Sequence, residues 1–312
     1  MGFGLDDYID QDVAYLAGLI IGRGTISESA GIRQLIIEFS YSSLCAEGIS
    51  SSFASETAIR LGLDDIRERL QELLDTDIRK VPRSGGVDLV VSFMRNNMIW
   101  RNILLLTGGA TSYPYFRVPN VFFESSLPKE WKREFMRGYA DVAGNIRHSN
   151  RYVDDHHRVR LDILNYPTNW EMPVQLCALL QEHLNVPVQL ITWGHPNLGR
   201  DFREHQLNIF AEPFLSIGFS LEYKQKILEE FVDWDREHLQ KIDYRFCPGV
   251  RRMRESKPIH KGENSEKLDK RLIGKHFDSY WQICKALGCQ RIPADLSQVA
   301  ELDDVEADIA NQ

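Results

Sequence analysis

Asp154, Asp155, His156 and His157 put two carboxylates and two imidazoles in a row. These are donor types that hold divalent metal ions. The run falls in a hairpin loop, so a solvated turn is the expected reading and a metal site the alternative. Cys247, His260, His276, Cys284 and Cys289 invite zinc, but no CxxC pair occurs among them, and separate thiols and histidines are expected. A third chemistry is electrostatic. Arg251, Arg252, Arg254 and Lys257 lie in a Pro- and Gly-containing stretch that reads as an irregular basic arm, either tracking phosphates or serving as a solvated linker. Arg33, Gln34, Arg79, Lys80, Arg158 and Arg160 fall on predicted strands, from which side chains reach a partner. Strand alternation means that not all of them share one face.

The composition sets the bounds for these sites. The chain has 312 residues, 43% hydrophobic and 26% charged, which suits one large or two ordinary domains and not a disordered chain. A formal net charge of −8 weighs against nucleic-acid binding over the whole surface and leaves room for a local basic groove. No apolar run reaches the roughly 20 residues of a membrane helix. The acidic N-terminus lacks a secretory pattern, and five scattered cysteines fit reduced thiols, so the cytoplasm is the expected compartment.

The elements that must position these residues come in two similar sets. The first is a buried helix capped by Asp12 and punctuated by Gly22 and Gly24, then strands Thr25–Ser29 and Arg33–Ser42. On the second strand Gln34, Ile36, Glu38 and Ser40 form the more polar face. A helix over Ala54–Leu74, strands Asp77–Val81 (ended by Pro82) and Val87–Phe93, and a helix over Asn96–Leu106 complete the set. The second set has helix Lys129–Ala143, strands Asn145–Ser149 and Arg158–Leu164, and a helix from about Trp170 to Leu184. Strands Pro187–Trp193 and His205–Phe210 and a helical region over Phe214–Asp233 follow. The same order twice indicates an internal duplication in an α+β fold. The expected divisions are 1–115, 116–233 and a C-terminal extension 234–312. That extension holds the basic arm, an aromatic-rich amphipathic helix over Leu272–Leu287 and an acidic tail.

Leu16-Ala-Gly-Leu-Ile-Ile-Gly-Arg-Gly-Thr-Ile and Arg137-Gly-Tyr-Ala-Asp-Val-Ala-Gly-Asn-Ile open the two sets. With their order of elements they resemble the LAGLIDADG homing endonuclease family in its single-chain form, to about residue 233. The resemblance implies two pseudo-symmetric αββαββα repeats. Their first helices would pack side by side through Ala17, Gly18, Arg137 and Gly138. It also implies a saddle of two antiparallel sheets whose concave face lies in the major groove of double-stranded DNA, in a pseudo-symmetric monomer.

In such enzymes each motif helix delivers a metal-binding carboxylate at its C-terminal end. Those two positions are Arg23 and Ala143 here, and neither side chain coordinates Mg²⁺. Asp141, two residues earlier, is turned about 200° away on an α-helix and reads as a cap or a partner of Arg23. Glu28 lies beyond the first motif. The expectation is therefore a DNA-binding protein with no confident catalytic residue, metal or cofactor. One alternative is an active endonuclease using other acids such as Asp141 or Asp155, which would need Mg²⁺. Another is a regulatory scaffold that binds protein or RNA.

Overall fold

The structure, a computed structural model, describes residues 9–29, 31–49, 52–53, 56–94, 98–113, 115–146, 156–164, 171–192 and 204–241. Asp154, Asp155, Arg251, Arg252, Arg254, Lys257 and the five scattered Cys and His residues of the zinc reading lie outside them.

The first helix, α1 (Gln11–Arg23), is capped by Asp10, whose carboxylate accepts from the Val13 amide at 2.8 Å. The expected cap, Asp12, stands inside the first turn and accepts instead from Arg69 Nε at 2.7 Å. Strands β1 (Gly24–Ser29) and β2 (Ile32–Ser40) follow, then a short helix α2 (Tyr41–Leu44) and two short strands, β3 (Ala46–Glu47) and β4 (Ser52–Phe53). Helix α3 (Glu56–Leu74), strands β5 (Ile78–Arg83) and β6 (Gly86–Phe93) and helix α4 (Met98–Leu106) close the first half. Pro82 does not end its strand. β5 runs through it, because β5 is an edge strand and needs no amide donor on its outer side.

The second half begins with α5 (Lys129–Ala143), entered from Pro128. Strands β7 (Gly144–Ile146) and β8 (Arg158–Leu164) come next, then α6 (Glu171–Ala178), which widens into a π-helical turn over Leu179–His183. After β9 (Val188–Thr192) and β10 (Glu204–Phe210), the expected single helical region divides into α7 (Ala211–Phe214) and α8 (Glu222–His238). Gly218 breaks it at a φ of 69°, a left-handed conformation that most side chains resist.

The first sheet has the order β1-β2-β6-β5, all antiparallel. The second has the order β4-β3-β7-β8-β10-β9. Setting β3 and β4 aside, the strands of each half follow one order: first, second, fourth, third. The added pair comes from the first half, where the sequence showed no strand, and β3 joins β7 in parallel through Ala46 and Ile146.

Helices α1 and α5 form the joint between the halves. A Cβ on Gly18 would fall on the Phe135 carbonyl oxygen, and one on Gly138 would fall on the Tyr15 carbonyl oxygen. Gly22 meets Tyr139 and Val142 further along, so the helices run parallel, backbone against backbone. Around them the core fills with aromatic side chains, among them Tyr15, Phe122, Phe135 and Tyr139. Arg137 turns away from α1. It pairs with Glu134 and donates to the Ile217 carbonyl at 2.8 Å, while Glu134 also accepts from Arg69 of α3 at 3.0 Å.

Candidate nucleic-acid interface

Alternation along β2 sorts the first sheet into two faces. Leu35, Ile37 and Phe39 are fully buried against the helices, and Gln34, Ile36, Glu38 and Ser40 take the opposite face. Register carries that assignment across the sheet. Ser27, Gln34 and Ser92 lie in one cross-strand row, Thr25, Ile36, Val90 and Arg79 in the next, and Glu38, Asp88 and Val81 in a third. Gln34 Nε2 donates to Ser92 Oγ at 3.4 Å. Glu38 and Asp88 stand directly opposite each other, and such like charges repel. Arg83, at the end of β5, relieves that repulsion by donating to Asp88 at 2.6 Å and to Glu38 at 3.3 Å. Arg79 is exposed and forms none of these bridges.

Two expected contacts belong to the other face. Arg33 shares the parity of Leu35, donates to Glu28 at 2.9 Å and lies over the Trp100 ring. Lys80 pairs with Asp64 of α3, and this bond is the main reason the Asp64 carboxyl titrates below its usual range. Both bind the sheet to its own helices. The signal that separates them from Gln34 and Arg79 is in the sequence: odd and even positions of one strand cannot face the same partner.

In the second sheet Arg160 pairs in register with Asn145 on one side and Asn208 on the other, on the face away from Leu161 and Leu207. Arg158 has the same parity but is only 4% exposed. Its guanidinium lies 4.7 Å from the Phe210 ring centre and donates to the His156 carbonyl at 2.9 Å. Phe210 is fully buried and Asn208 nearly so. His156 and His157 are buried too, contrary to a solvated turn. The amide of His157 donates to Asp235 Oδ2 at 2.8 Å and its ring stacks on Phe231, so it anchors β8 to α8. No group of three or more metal-type side chains is assembled among the described residues.

The C-terminal ends of α1 and α5 run directly into β1 and β7. Ala143 is fully buried. Arg23, 7% exposed, donates to its own helix at the Gly22 carbonyl (2.8 Å) and to the Asp162 carbonyl of β8 (3.3 Å), and its guanidinium lies over Tyr113. Tyr139 of α5 donates to that same Asp162 carbonyl at 3.2 Å. Burial is the first cause, and nearby Glu38 the second, of a Tyr113 hydroxyl that titrates above its usual range. The segment carrying Tyr113 crosses between the halves along β1, with Ile26 bonded to the Thr111 carbonyl and Tyr113 to the Gly24 carbonyl.

Asp141 faces the other way and does not reach Arg23. It accepts from the Tyr15 hydroxyl at 2.7 Å and from the Ser220 amide at 3.1 Å, wholly buried. Lys224 of α8 is enclosed nearby, donating to the Gly144 carbonyl at 2.9 Å beside the Phe219 ring. Burial pushes the Asp141 carboxyl up and the Lys224 ammonium down to about 8, while their mutual attraction opposes both shifts.

Two halves with one strand order, joined by a parallel helix pair in glycine-mediated contact and presenting sheets on either side, decide the architecture. This is the architecture that the resemblance to the LAGLIDADG family implies. No protein-family model and no curated protein sequence matches the chain. Among solved structures it is similar to the homing endonuclease I-DmoI in complex with DNA and calcium, at 16% identity and a TM-score of 0.41, over 69% of this chain and 90% of that one. It is also similar to full-length DUF199/WhiA from Thermatoga maritima, at 16% identity and a TM-score of 0.42, over 96% of this chain and 90% of that one. The N-terminal LAGLIDADG domain of DUF199/WhiA gives 14% identity and a TM-score of 0.37, over 77% and 85%. Within this architecture, the open face of the first sheet and the closed end of the helix pair are the two places where function is to be sought.

Proposed function

We propose that this chain is a homing-endonuclease-like protein that binds double-stranded DNA as a single copy and does not cut it at the ends of α1 and α5. The binding surface is a saddle of two sheets whose open faces enter the major groove, which admits a β-ribbon and presents distinguishable base edges. The observation that carries the reading is the open face of the first sheet. Hydrogen-bonding side chains (Ser27, Gln34, Ser92) and the exposed Arg79 stand there on a rigid antiparallel frame. Arg160 extends the surface onto the second sheet, and Arg251, Arg252, Arg254 and Lys257 add an arm for backbone phosphates. Two-metal hydrolysis needs carboxylates at the helix ends. Arg23 bonded to carbonyls and a buried Ala143 speak against it, and Asp141 is held inside the core by Tyr15 and Ser220. A cytoplasmic location goes with this reading, and among the described residues no helix is long and apolar enough to cross a membrane.

The test is duplex binding by the full chain across a salt series, with a parallel incubation in Mg²⁺ or Mn²⁺. Expected are a salt-sensitive complex, its affinity falling as a power of salt concentration set by the number of phosphates neutralised, and intact DNA. No complex at low salt would remove the DNA reading. Cleavage abolished by Asp141→Asn would show that the acid works despite its burial.

A further inference from the structure

Equivalent strands of the two sheets expose very different side chains. On the first sheet the middle strands offer Gln34 and Ile36, and the edge strand offers Arg79 in the same row as Ile36 and Val90. On the second sheet the described residues of the corresponding face are largely covered. Arg158 and Asn208 are less than a tenth exposed, and Phe210 is covered completely. Arg160, half-buried between Asn145 and Asn208, is a cation that reaches this face among the described residues.

We propose that base discrimination is one-sided: the first sheet reads sequence through Gln34, Arg79 and Ile36, and the second sheet holds the backbone. The proposal rests on the DNA-binding reading above and adds to it which half recognises bases. The chemistry follows from the side chains. A carboxamide matches the paired acceptor and donor of adenine, a guanidinium the two acceptors of guanine, and branched aliphatic groups the thymine methyl. Same-face residues on a strand recur about every 7 Å, and bases stack about 3.4 Å apart. Gln34 and Ile36 therefore meet positions roughly two base pairs apart. The neighbouring Glu38–Arg83–Asp88 group is satisfied internally and leaves Arg79 as the unbridged cation of this face among the described residues.

The experiment is selection of bound duplexes from a random library by the full chain and by three variants, Gln34→Ala, Arg79→Ala and Arg160→Ala, each first shown to melt like the parent. The expected winners carry strong preferences at one end of a non-palindromic site. Gln34→Ala and Arg79→Ala each relax preference about 10-fold or more at one or two positions. Arg160→Ala weakens binding evenly across sequences and lowers the salt slope. Equal preferences at both ends, or a base preference that moves with Arg160→Ala and not with Gln34→Ala, would overturn the proposal. Tight binding with no preference anywhere would also overturn it and leave the DNA-binding reading standing. Failure of every duplex to bind at low salt would remove both.

Discussion

A guanidinium at the end of a helix meets groups that would repel a carboxylate: the negative end of the helix dipole and carbonyl oxygens that only a donor can satisfy. Arg23 bonds one carbonyl of its own helix and one of β8, so it ties the halves together at the point where α1 stops. That role was half legible beforehand. The unsuitability of Arg23 and Ala143 for metal follows from residue type alone, but the partner of Asp141 does not. Position along the helix could say only that Asp141 turns away from the helix end. Tyr15, one helix over, and Ser220, far along the chain, become its partners only when the helices pack. Installing carboxylates tests the reasoning. In the double variant Arg23→Asp, Ala143→Asp, two anions at adjacent helix ends repel until a hard cation binds between them. Millimolar Mg²⁺ or Ca²⁺ is expected to raise its melting temperature by several degrees, as any ligand selective for the folded state does, and to leave the parent unmoved. An equal rise in the parent would mean that the cation binds elsewhere and that the new carboxylates hold none.

At the scale of elements, alternation was the most readable signal. The two faces of β2 could be assigned from its residues, and the structure divides them the same way. What alternation could not supply was the extent of elements fixed by distant partners. β5 passes through Pro82 because its outer edge is free, and β3 exists because β7 is there to pair with it. The closing helix is likewise anchored from outside, by Lys224 bonding the Gly144 carbonyl at the start of β7. The charged groups around that ammonium are Asp141 of α5 and Asp162 of β8. Its pKa in the folded protein, about 8, lies below the ordinary lysine value of 10.5. Between those two values the unfolded chain binds the extra proton, so stability rises with pH across this window. The cost of the buried charge, on the order of 3 kcal/mol, is present in full below about pH 8. Above about pH 10 the trend reverses, because Tyr15, Tyr139 and Tyr223 are held by burial above their ordinary value and ionise first in the unfolded chain. Denaturant melts from pH 7 to 11 are expected to show a maximum between 9 and 10. In Lys224→Met the rise from pH 8 should vanish while the fall above 10 remains; a rise that persists in the variant would assign it to another group.

The whole molecule is built across its joint. Repeated element order, readable in the sequence, suggests two units that each fold alone, but the contacts describe something more interdependent. α1 presents Leu16, Leu19 and Ile20, nearly or fully buried, in the middle of the chain's core, and Gly18 accepts the backbone of α5. The hairpin of β3 and β4 leaves the first half to widen the second sheet, and the Tyr223 hydroxyl of α8 reaches back to the Leu44 carbonyl at 2.5 Å. Separating the halves would expose apolar surface and a bare sheet edge together. Each would then lack part of the burial that balances its chain entropy. Chains ending at 115 or beginning at 116 are therefore expected to show no cooperative thermal transition alone, or to associate through the bared helix face in size-exclusion chromatography. Co-expressed from one cell, they should recover a single transition and one copy of each. A first half that melts cooperatively as a monomer would show that the helix joint is a late contact between finished domains. The proposed one-sided reading of DNA would then be open to direct measurement on that half alone.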